Sequence, residues 1–495
     1  MCFGNRTQRT SNPTPEKCFA RGDHWLAEAL TGWGCAGTVF GMSNVRRFGA
    51  AGDGKADDTE AIGHALKDGD GVLHFPPGTY RITRPIEVRL AAQGPLGIDG
   101  TGGTARIVMA GAGPAFRIIG MHGGTGDPAS RQGNVATHQR LPTIRNIEVE
   151  GAHAEADGFE LIQTMQSVFE GVLVTRCRHG IHLIERNRNV LISHCHIYFN
   201  TGVGVFLDGV NLHQINIASS HISYNRLGGI RLERSEVRNL QITGNDIEYN
   251  NHKSHKTETE PTAEIYIDTT AEGASVNEVT IASNTIQATG SAGGANIRIK
   301  EKPDESRPPG LFAIAGNIIG SQENNVHFSG CYGIALSGNC IYSAKNRNLL
   351  IEDSRLINIS GNTFRRHTPK YGTGVRLVRS ADITFTGCGI HDETEAGQPG
   401  LAGLLELADC KRINISGSQF LNGASACIDA TDCSHVIVTG CTFNDTRPKP
   451  IGKHAIRFTG KHRGNFIATN SIGKTTGKAI EANGVRTEGN EIESD

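Results

Sequence analysis

A phrase of eight residues that recurs from about residue 167 to the C-terminus constrains the fold more than any other feature of this sequence. Its order is apolar, any residue, apolar, Thr/Ser/Ala, Gly/Ser, Asn/Ser/Cys, any residue, apolar, and successive copies are 22 to 39 residues apart. Alternating apolar residues predict strands, and the Gly, Ser and Asn positions predict turns. The copies are VLISHCHI (190–197), INIASSHI (215–222), LQITGNDI (240–247), VTIASNTI (279–286), FAIAGNII (312–319), IALSGNCI (334–341), INISGNTF (357–364), ITFTGCGI (383–390), INISGSQF (413–420), VIVTGCTF (436–443) and the shorter FIATNSI (466–472).

A second alternating phrase lies between these copies, as in GIHLIE, VGVFLD, GGIRLE, AEIYID and ANIRIK. Each repeat therefore contains at least two short strands and polar turns, with no room for a helix. An all-strand repeat of this length is typical of a parallel β-helix, in which one coil cannot bury its inward face alone and coils must stack. We predict an all-β solenoid of about 12 coils, with Asn side chains forming a ladder inside the turns.

The cysteines fit the interior of such a solenoid. Twelve are spread along the chain, and no two CxxC motifs have zinc-binding spacing. Cys195, Cys340, Cys388 and Cys441 fall at the same place in the repeat. We predict buried thiols that pack as small apolar side chains, rather than disulfides or metal ligands.

Composition and patterning limit the partners and the domain boundaries. The 495 residues carry a net charge of −1, which gives no electrostatic footprint for nucleic acid or an anionic membrane. No apolar run approaches the ~20 residues that span a bilayer. Residues 1–41 are predicted to be a disordered or over-long extension ahead of a domain that begins near Met42, with a weak export segment as the alternative. Residues 42–166 would form a cap and the first coils, and residues 167–490 the regular coils; cellular location and homo-oligomerisation stay open.

The stretch FGAAGDGKADDTEAIGHAL (48–66) predicts a helix that closes the N-terminal end of the solenoid. Asp57 or Asp58 is a suitable N-cap for this helix. Paired carboxylates after glycines are also found at ligand sites, but terminal caps are what solenoids require. We predict an amphipathic cap whose buried face consists of Ala61, Ile62, Ala65 and Leu66.

Residues 45–88 carry a longer pattern, F-G-A-x-G-D-G-x-x-D-D-T-x-A-I followed by G-V-L-x-F-P-P-G-T-Y. This pattern resembles the N-terminal segment of the pectate lyase superfamily, most closely the rhamnogalacturonase/epimerase-like pectate-lyase domain. With the repeats, the resemblance covers about residues 44–490 and implies a right-handed, single-stranded parallel β-helix with a carbohydrate-related role. It does not imply one reaction, because this fold carries lyases, hydrolases, epimerases and non-catalytic stalks.

Outward side chains of the second phrase should form two columns along one sheet, because neighbouring coils are ~4.8 Å apart. Two long polar insertions, residues 249–264 and 301–310, adjoin the middle of these columns, and long loops on a regular scaffold commonly rim a binding cleft. Polar side chains at outward strand positions also serve solubility alone. We define the candidate patch as the residues beside the insertions: His182, Phe206, Arg231, Tyr266, Arg298 and His327 in the first column, and Asp208, Glu233, Asp268 and Lys300 in the second.

β-Elimination on a uronic-acid polysaccharide is the first chemistry that fits the candidate patch. The reaction needs a positive charge that neutralises the sugar carboxylate, a base for the adjacent C–H proton and an acid for the leaving oxygen. Lys300 or Arg298 would be the base, with Tyr266 or His327 assisting. The one cofactor hypothesis is Ca²⁺, and its ligands would be Asp208, Glu233 and Asp268. The substrate-binding residues would be Arg231, Phe206, His182 and His327.

Glycoside hydrolysis is the second chemistry, because it needs two carboxylates. Asp208 and Asp268 lie on alternate coils, ~9.6 Å apart, near the ~6.5–9.5 Å of an inverting pair. A C5-epimerase would use nearly the same groups as a lyase, since it also removes the C5 proton, and a non-catalytic glycan-binding β-helix is a third class. Basic residues in the candidate patch favour an anionic polysaccharide, and we therefore predict a polysaccharide lyase.

Overall fold

The computed structural model describes residues 43–493 apart from 125–126, 132, 252–262, 289, 303–309, 367–370, 394 and 398–399. The extension predicted for residues 1–41 and most of both insertions beside the candidate patch lie outside the described residues. Among the helices of the described residues, none has the length and hydropathy needed to span a membrane.

The chain winds into a right-handed parallel β-helix of about 16 turns. Consecutive turns pair in parallel along three sheets. The predicted number of about 12 turns is wrong, because the N-terminal turns lack the recurring phrase. Gly78–Ile82, Ala105–Met109 and Ile147–Gly151 form a regular parallel ladder there, although other turn residues replace the Gly–Asn pair.

The three sheets are defined by their strands in chain order. Sheet 1 consists of Ile86–Arg89, Gly113–Ile119, Ala156–Met165, the first parts of Ile181–Ser193 and Val205–Ala218, Ile230–Glu233, Ala263–Asp268, Ala295–Lys300, Asn324–Ser329, Arg347–Glu352, Val375–Val378, Leu405–Ala408, Ala426–Thr431, His454–Thr459 and Ile480–Glu481. Sheet 2 consists of Ser43–Asn44, Val72–His74, Gly97–Asp99, Thr143–Arg145, Val168–Glu170, the second parts of Ile181–Ser193 and Val205–Ala218, Glu236–Thr243, Ser275–Ala282, Gly310–Ala315, Tyr332–Ser337, Arg355–Ser360, Ala381–Thr386, Lys411–Ser416, Ser434–Thr439, Phe466–Ala468 and Arg486–Glu488. Sheet 3 consists of Asp53–Asp57, Gly78–Ile82, Ala105–Met109, Ile147–Gly151, Leu173–Thr175, His196–Tyr198, His221–Ser223, Asp246–Glu248, Thr285–Gln287, Ile318–Gly320, Cys340–Tyr342, Thr363–Arg365, Gly389–His391, Gln419–Leu421, Thr442–Asn444, Ser471–Ile472 and Glu491–Ile492.

Inward side chains of the three sheets form one apolar column along the axis. In the strand Ile230–Glu233, Ile230 and Leu232 are fully buried, whereas Arg231 and Glu233 point outward. This period of two is the alternation that the sequence predicts, and it fixes which residues face the solvent.

Buried Asn side chains form the predicted ladder at the turn between sheets 2 and 3. Asn245 Nδ2 donates to Asn284 Oδ1 at 3.1 Å, and Asn284 Nδ2 donates to Asn317 Oδ1 at 3.0 Å. Asn317 Nδ2 continues to Asn339 Oδ1 at 2.9 Å, and Asn339 Nδ2 to Asn362 Oδ1 at 2.9 Å. The ladder satisfies polar groups that a dry interior would otherwise leave unpaired.

Cysteines occupy the same turn on other coils. The backbone N–H groups of Cys195, Cys388 and Cys441 donate to the next ladder side chain, and the cysteines of the described residues are free thiols. Cys340 differs from the prediction: Asn339 fills the ladder position, and Cys340 is the half-buried first residue of the strand that follows. In the aligned phrase Cys195 corresponds to Asn339, and Cys340 corresponds to His196.

Helix α1 (Thr59–Asp68) closes the N-terminal end, as predicted. Ile62, Ala65 and Leu66 belong to the same apolar cluster as the coils, and Ala61 is partly buried against it. The other helices are α2 (Leu90–Gln93), α3 (Gly133–His138) and the 3₁₀ helices Val45–Phe48 and Pro128–Ser130.

The two Asp residues before α1 have separate structural tasks. Asp57 accepts hydrogen bonds from the Thr59 N–H at 3.1 Å and the Thr83 hydroxyl at 2.6 Å, which ties the helix start to sheet 3. Asp58 is the N-cap residue, but its carboxylate accepts from the backbone N–H groups of Ala51 at 2.7 Å and Gly52 at 3.1 Å. The two carboxylates therefore hold the start of helix α1 against the neighbouring chain segments.

Candidate functional site

The strand register places the candidate patch on consecutive turns of sheet 1. Along the first column the paired residues are His182, Phe206, Arg231, Tyr266, Arg298 and His327. Along the second column they are Asp208, Glu233, Asp268 and Lys300. A slip of one residue would have turned these side chains into the core, so the apolar pattern alone fixes the register. The structure brings the predicted residues together, and their chemical roles stay a prediction.

Asp268 lies at the centre of a compact group of polar contacts. Its Oδ2 accepts a hydrogen bond from the Tyr266 hydroxyl at 2.8 Å and lies 3.7 Å from Lys300 Nζ. Its Oδ1 accepts from the backbone N–H of Thr270 at 2.8 Å and from the Thr270 hydroxyl at 2.6 Å. Burial acts to raise the pKa of Asp268, but the hydrogen bonds from Thr270 and Tyr266, together with the charge of Lys300, outweigh it and the pKa lies below its usual value. Burial raises the pKa of Tyr266, so a protonated phenol faces an ionised carboxylate.

Two arginines hold the neighbouring acids. The guanidinium of Arg231 lies 5.1 Å from the centroid of the Tyr266 ring and contacts Glu233. Arg234, which the sequence prediction did not include, contacts Asp208 and lies 3.6 Å from Glu233 Oε2. These contacts leave the second column close to electrical balance.

The carboxylates of the three predicted ligands do not suit a calcium site, because other side chains already contact them. Guanidinium groups already contact Asp208 and Glu233, and hydroxyl groups of Tyr266 and Thr270 contact Asp268. Calcium takes about six to eight oxygen ligands. The described residues contain no cluster of three or more His, Cys, Asp or Glu side chains arranged for a metal ion. No step of the reaction proposed below passes through a metal.

His182 connects the candidate patch with Glu160, which the sequence prediction also missed. His182 Nε2 lies 3.4 Å from Asp208 Oδ2, and Nδ1 lies 3.8 Å from Glu160 Oε2. The hydrogen bond from His182, together with Arg234, lowers the pKa of Asp208. Glu160 pairs with His182 in the strand register. The apolar alternation in FELI (159–162), upstream of the recurring phrase, would have placed Glu160 in the first outward column.

Arg298 and His327 occupy the next two turns of the first column. Arg298 donates to the Gly293 carbonyl, and its buried Nε has no hydrogen-bond partner among the described residues. His327 Nε2 lies 2.9 Å from Glu352 Oε2, while its Nδ1 is buried and likewise unpaired within the described part of the chain. Burial and the charge of Arg298 lower the pKa of His327, and Glu352 offsets only part of this effect. The His327 imidazole is therefore neutral at neutral pH.

A groove of about 420 Å³ lies elsewhere, on the outer face of sheet 2. Its lining contains amides and apolar groups but no acid or base, so the groove has no residue for proton transfer. The residues that line it are Leu141, Gln166, Val168, Asn189, Val190, Leu191, Gln214, Asn216, Asn239 and Gln241. The titratable groups of the candidate patch lie on sheet 1 instead.

Comparisons with curated proteins give short matches. The chain is 40% identical over 70 residues to a probable glucan endo-1,3-beta-glucosidase of Arthroderma benhamiae, which covers 12% of this chain and 8% of that protein. It is 34% identical over 129 residues to alginate lyase 7 of Azotobacter vinelandii, which covers 23% of this chain and 14% of that protein. The chain thus aligns with a small part of the length of both relatives.

Solved structures with this architecture are distant. The A-module of mannuronan C-5 epimerase AlgE6 from Azotobacter vinelandii is 14% identical with a TM-score of 0.37, and the match covers 91% of this chain and 99% of that one. The family 28 exopolygalacturonase of Yersinia enterocolitica is 12% identical with a TM-score of 0.32, covering 86% and 78%. These likenesses are too distant to say anything about activity.

Family models match most of the chain. Residues 42–114 match the family described as rhamnogalacturonase A/epimerase, pectate lyase-like. Residues 134–302 and 312–494 match the right-handed beta helix region. Together with the axial core, the three parallel sheets and the helical cap, these matches show that the protein belongs to the right-handed β-helix family and that residues 42–114 form a pectate-lyase-like segment.

Proposed function

We propose that the candidate patch is the active site of a polysaccharide lyase that cleaves an acidic, uronic-acid-containing polysaccharide by β-elimination. The observation that carries the proposal is the order of the first column, in which Tyr266, Arg298 and His327 stand on three consecutive turns. An acid, a cation and a neutral base in that order match the three requirements of the reaction.

Each group has a protonation state that suits its role. Arg298, with the half-exposed Lys300 beside it, would neutralise the substrate carboxylate and so acidify the C5 proton. His327 would accept that proton, because its lowered pKa keeps the imidazole neutral. Tyr266 would protonate the leaving O4, because its raised pKa keeps the phenol protonated. The C4–O4 bond breaks as the C4–C5 double bond forms, and no water is consumed.

An inverting hydrolase is a poorer match to the same surface. That mechanism needs one carboxylic acid whose pKa is raised so that it can protonate the leaving group. The pKa values of Asp208 and Asp268 are both lowered, through His182 and Arg234 for the first and Thr270 for the second. Both carboxylates are ionised, and neither is a proton donor.

An epimerase would share the C5 proton removal and differ in the product, so the reaction class is decided by the products. We propose incubation of the protein with alginate, pectate, hyaluronan and glucuronan, following ultraviolet absorbance of the unsaturated end and new reducing ends together. A lyase produces both signals, a hydrolase produces only reducing ends, and an epimerase changes the sugar NMR spectrum without new ends.

His327→Gln serves as the site variant for the polymer that reacts. Asp429→Asn is the matched control, since Asp429 lies in the same column outside the candidate patch. We expect H327Q to lose the ultraviolet signal and D429N to retain it. Absence of the signal for every polymer with the unaltered protein, or full activity in H327Q, would contradict the proposal.

A further inference from the structure

A second ladder of buried Asn side chains lies at the turn between sheet 3 and sheet 1, and it ends at a carboxyl group. Asn200 Nδ2 donates to Asn225 Oδ1 at 2.8 Å, and Asn225 Nδ2 donates to Asn250 Oδ1 at 2.8 Å. Asn250 then donates to Glu264 Oε2 through Nδ2 at 2.6 Å and through its backbone N–H at 3.1 Å. These four residues have no exposed surface.

A separate ladder begins on the next turn. Asn296 Nδ2 donates to Asn325 Oδ1 at 3.0 Å, and Asn325 Nδ2 donates to Asn348 Oδ1 at 2.8 Å. Asn348 Nδ2 donates to Thr373 Oγ1 at 3.0 Å. Every donor in this ladder points away from Glu264, so the side-chain oxygen of Asn296 is left at its upstream end.

Glu264 and Asn296 face each other across neighbouring turns, because the residues on either side of them are paired in the strands Ala263–Asp268 and Ala295–Lys300. Glu264 Oε1 and Asn296 Oδ1 are both buried and without a hydrogen-bond partner among the described residues. Turning the Asn296 amide over would not solve this, since Nδ2 also donates to the Gly320 carbonyl at 2.9 Å. Two oxygen atoms can share a hydrogen bond here only if one of them carries a proton, and an amide oxygen does not.

We propose that Glu264 is a neutral carboxylic acid in the folded protein, that its Oε1–H donates to Asn296 Oδ1, and that this bond joins the two ladders into one. The proton that Glu264 retains makes it a positioning residue for the strand Ala263–Asp268, which carries Tyr266 and Asp268. Only this positioning role rests on the proposed function of the candidate patch.

The surroundings of Glu264 agree with a neutral group. Burial raises the pKa of Glu264 well above its usual value, and the hydrogen bonds from Asn250 offset only part of the effect. The carboxylate of Glu248, on the preceding strand of sheet 3, raises this pKa further. Within the described residues no cation forms an ion pair with Glu264, and an ionised carboxylate there would be buried without compensation.

A proton held in this way makes the strand sensitive to alkaline pH. The pKa of Glu264 is higher in the folded than in the unfolded state, so its stabilising contribution is complete below the ordinary glutamate value of 4.5 and is lost as pH rises through the folded pKa. Between these two values, linkage of one proton raises the opening equilibrium constant of the strand about tenfold per pH unit.

Amide hydrogen exchange tests the proposal without any substrate. Protection of residues 263–268 would be compared with that of the reference strand Asn324–Ser329 from about pH 5 to about pH 9, after correction for intrinsic exchange. In the unaltered protein we expect the relative protection of 263–268 to fall by roughly tenfold per pH unit over part of this range. In Glu264→Gln the amide accepts from Asn250 and donates to Asn296 at every pH, so we expect protection to stay at its low-pH level.

Two further variants separate the proposal from simpler explanations. Glu264→Ala removes the junction and should lower protection at all pH values. Glu248→Gln removes a charge that raises the pKa of Glu264, so the pH-dependent loss should remain but be complete at lower pH. The proposal is overturned if E264Q exchanges as fast as E264A, which would mean that Glu264 is ionised and paired with a cation. Equal pH dependence in E264Q and the unaltered protein would overturn it as well. Because exchange needs no catalysis, the lyase assignment can fail while this result stands.

Discussion

The outward face of sheet 1 has two regions that share strand register and composition but differ in how their charges pair. In the C-terminal region, Glu406 Oε2 lies 3.0 Å from Arg376 Nη1 and 3.1 Å from Arg347 Nη2. On the following turns, Arg457 Nε donates to Asp429 Oδ1 at 2.5 Å. The acids of this column therefore lie against guanidinium groups.

In the candidate patch Asp208 and Glu233 also contact guanidinium groups, but the residues on the next turns do not follow this pairing. Lys300 Nζ approaches a carboxylate only to 3.7 Å, and Asp268 is shared with the phenol of Tyr266. Buried nitrogen atoms of Arg298 and His327 have no partner among the described residues. Charged residues are the default at outward strand positions, so their presence does not identify a site. Arg347 Nε in the C-terminal region is also buried and without a partner among the described residues, so an unpaired guanidinium nitrogen does not identify a site either. A histidine with an unpaired Nδ1 and a phenol that donates to a carboxylate, both in one column, do distinguish the candidate patch.

Replacement of Tyr266 should have the largest effect on activity. Tyr266→Phe removes the hydroxyl that would protonate the leaving group and keeps the buried ring, so we expect kcat to fall by roughly 10²- to 10⁴-fold. Arg376→Gln, in the C-terminal region, should change kcat by less than about twofold, because Arg376 does not take part in proton transfer. Initial rates of ultraviolet absorbance on the reactive polymer measure both. Equal activity of Y266F and R376Q would show that the two regions do not differ in function.

Replacement of Lys300 should have the next largest effect. A charge-assisted hydrogen bond is worth about 1.5–3 kcal/mol, so Lys300→Met should lower kcat/KM by roughly 10- to 150-fold if the ammonium group neutralises the substrate carboxylate. Lys411→Met is the matched control, because Lys411 is exposed on sheet 2. The loss in K300M should also reduce the salt dependence of kcat/KM. An unchanged salt dependence would exclude a direct charge contact with the substrate.

The Glu352 carboxylate offers a smaller and more specific test. Burial and Arg298 lower the pKa of His327, so the acid limb of kcat/KM should lie below the ordinary histidine value of 6.5. Glu352 raises this pKa, and Glu352→Gln should therefore move the acid limb to still lower pH.

Asp353→Asn is the control for this pH profile. Asp353 is the next residue along the chain, but its carboxylate pairs with Arg379 and does not contact His327. The acid limb of D353N should match that of the unaltered protein. A shift of the E352Q limb toward higher pH would exclude His327 as the base.

The membership of the candidate patch could largely be predicted from sequence, because alternating apolar residues fix which side chains of each strand face outward. Apolar residues such as Ile265 and Ile267 must face the axis, and this requirement alone brings Tyr266 and Asp268 to the surface beside Arg298 and Lys300 on the next turn. The number of turns was underestimated because the first coils bury similar side chains without the recurring turn residues.

Contacts between side chains could not be predicted in the same way. Arg234 lies outside the two-column pattern, at a turn position with positive φ, yet it reaches back to Asp208 one coil earlier. A long flexible side chain has many rotamers of similar energy, and the surrounding charges select among them only in the folded state. Glu160 was missed for a different reason, since its strand precedes the recurring phrase that defined the columns.

The smallest expected effect is on the free energy of unfolding, after replacement of Arg376 in the C-terminal region. Arg376→Gln leaves Glu406 with two hydrogen bonds from Arg347 Nη2, at 3.1 and 3.2 Å, and Arg376 itself is partly exposed. We therefore expect R376Q to lower the free energy of unfolding by less than about 1 kcal/mol. Arg347→Gln should cost more, because the Arg347 side chain is only 11% exposed, Glu406 is buried, and the remaining pair would be poorly solvated. Chemical denaturation midpoints at one pH compare the two variants. A larger loss in R376Q than in R347Q would mean that exposure does not govern the strength of these ion pairs. The difference between the C-terminal region and the candidate patch would then need another physical basis.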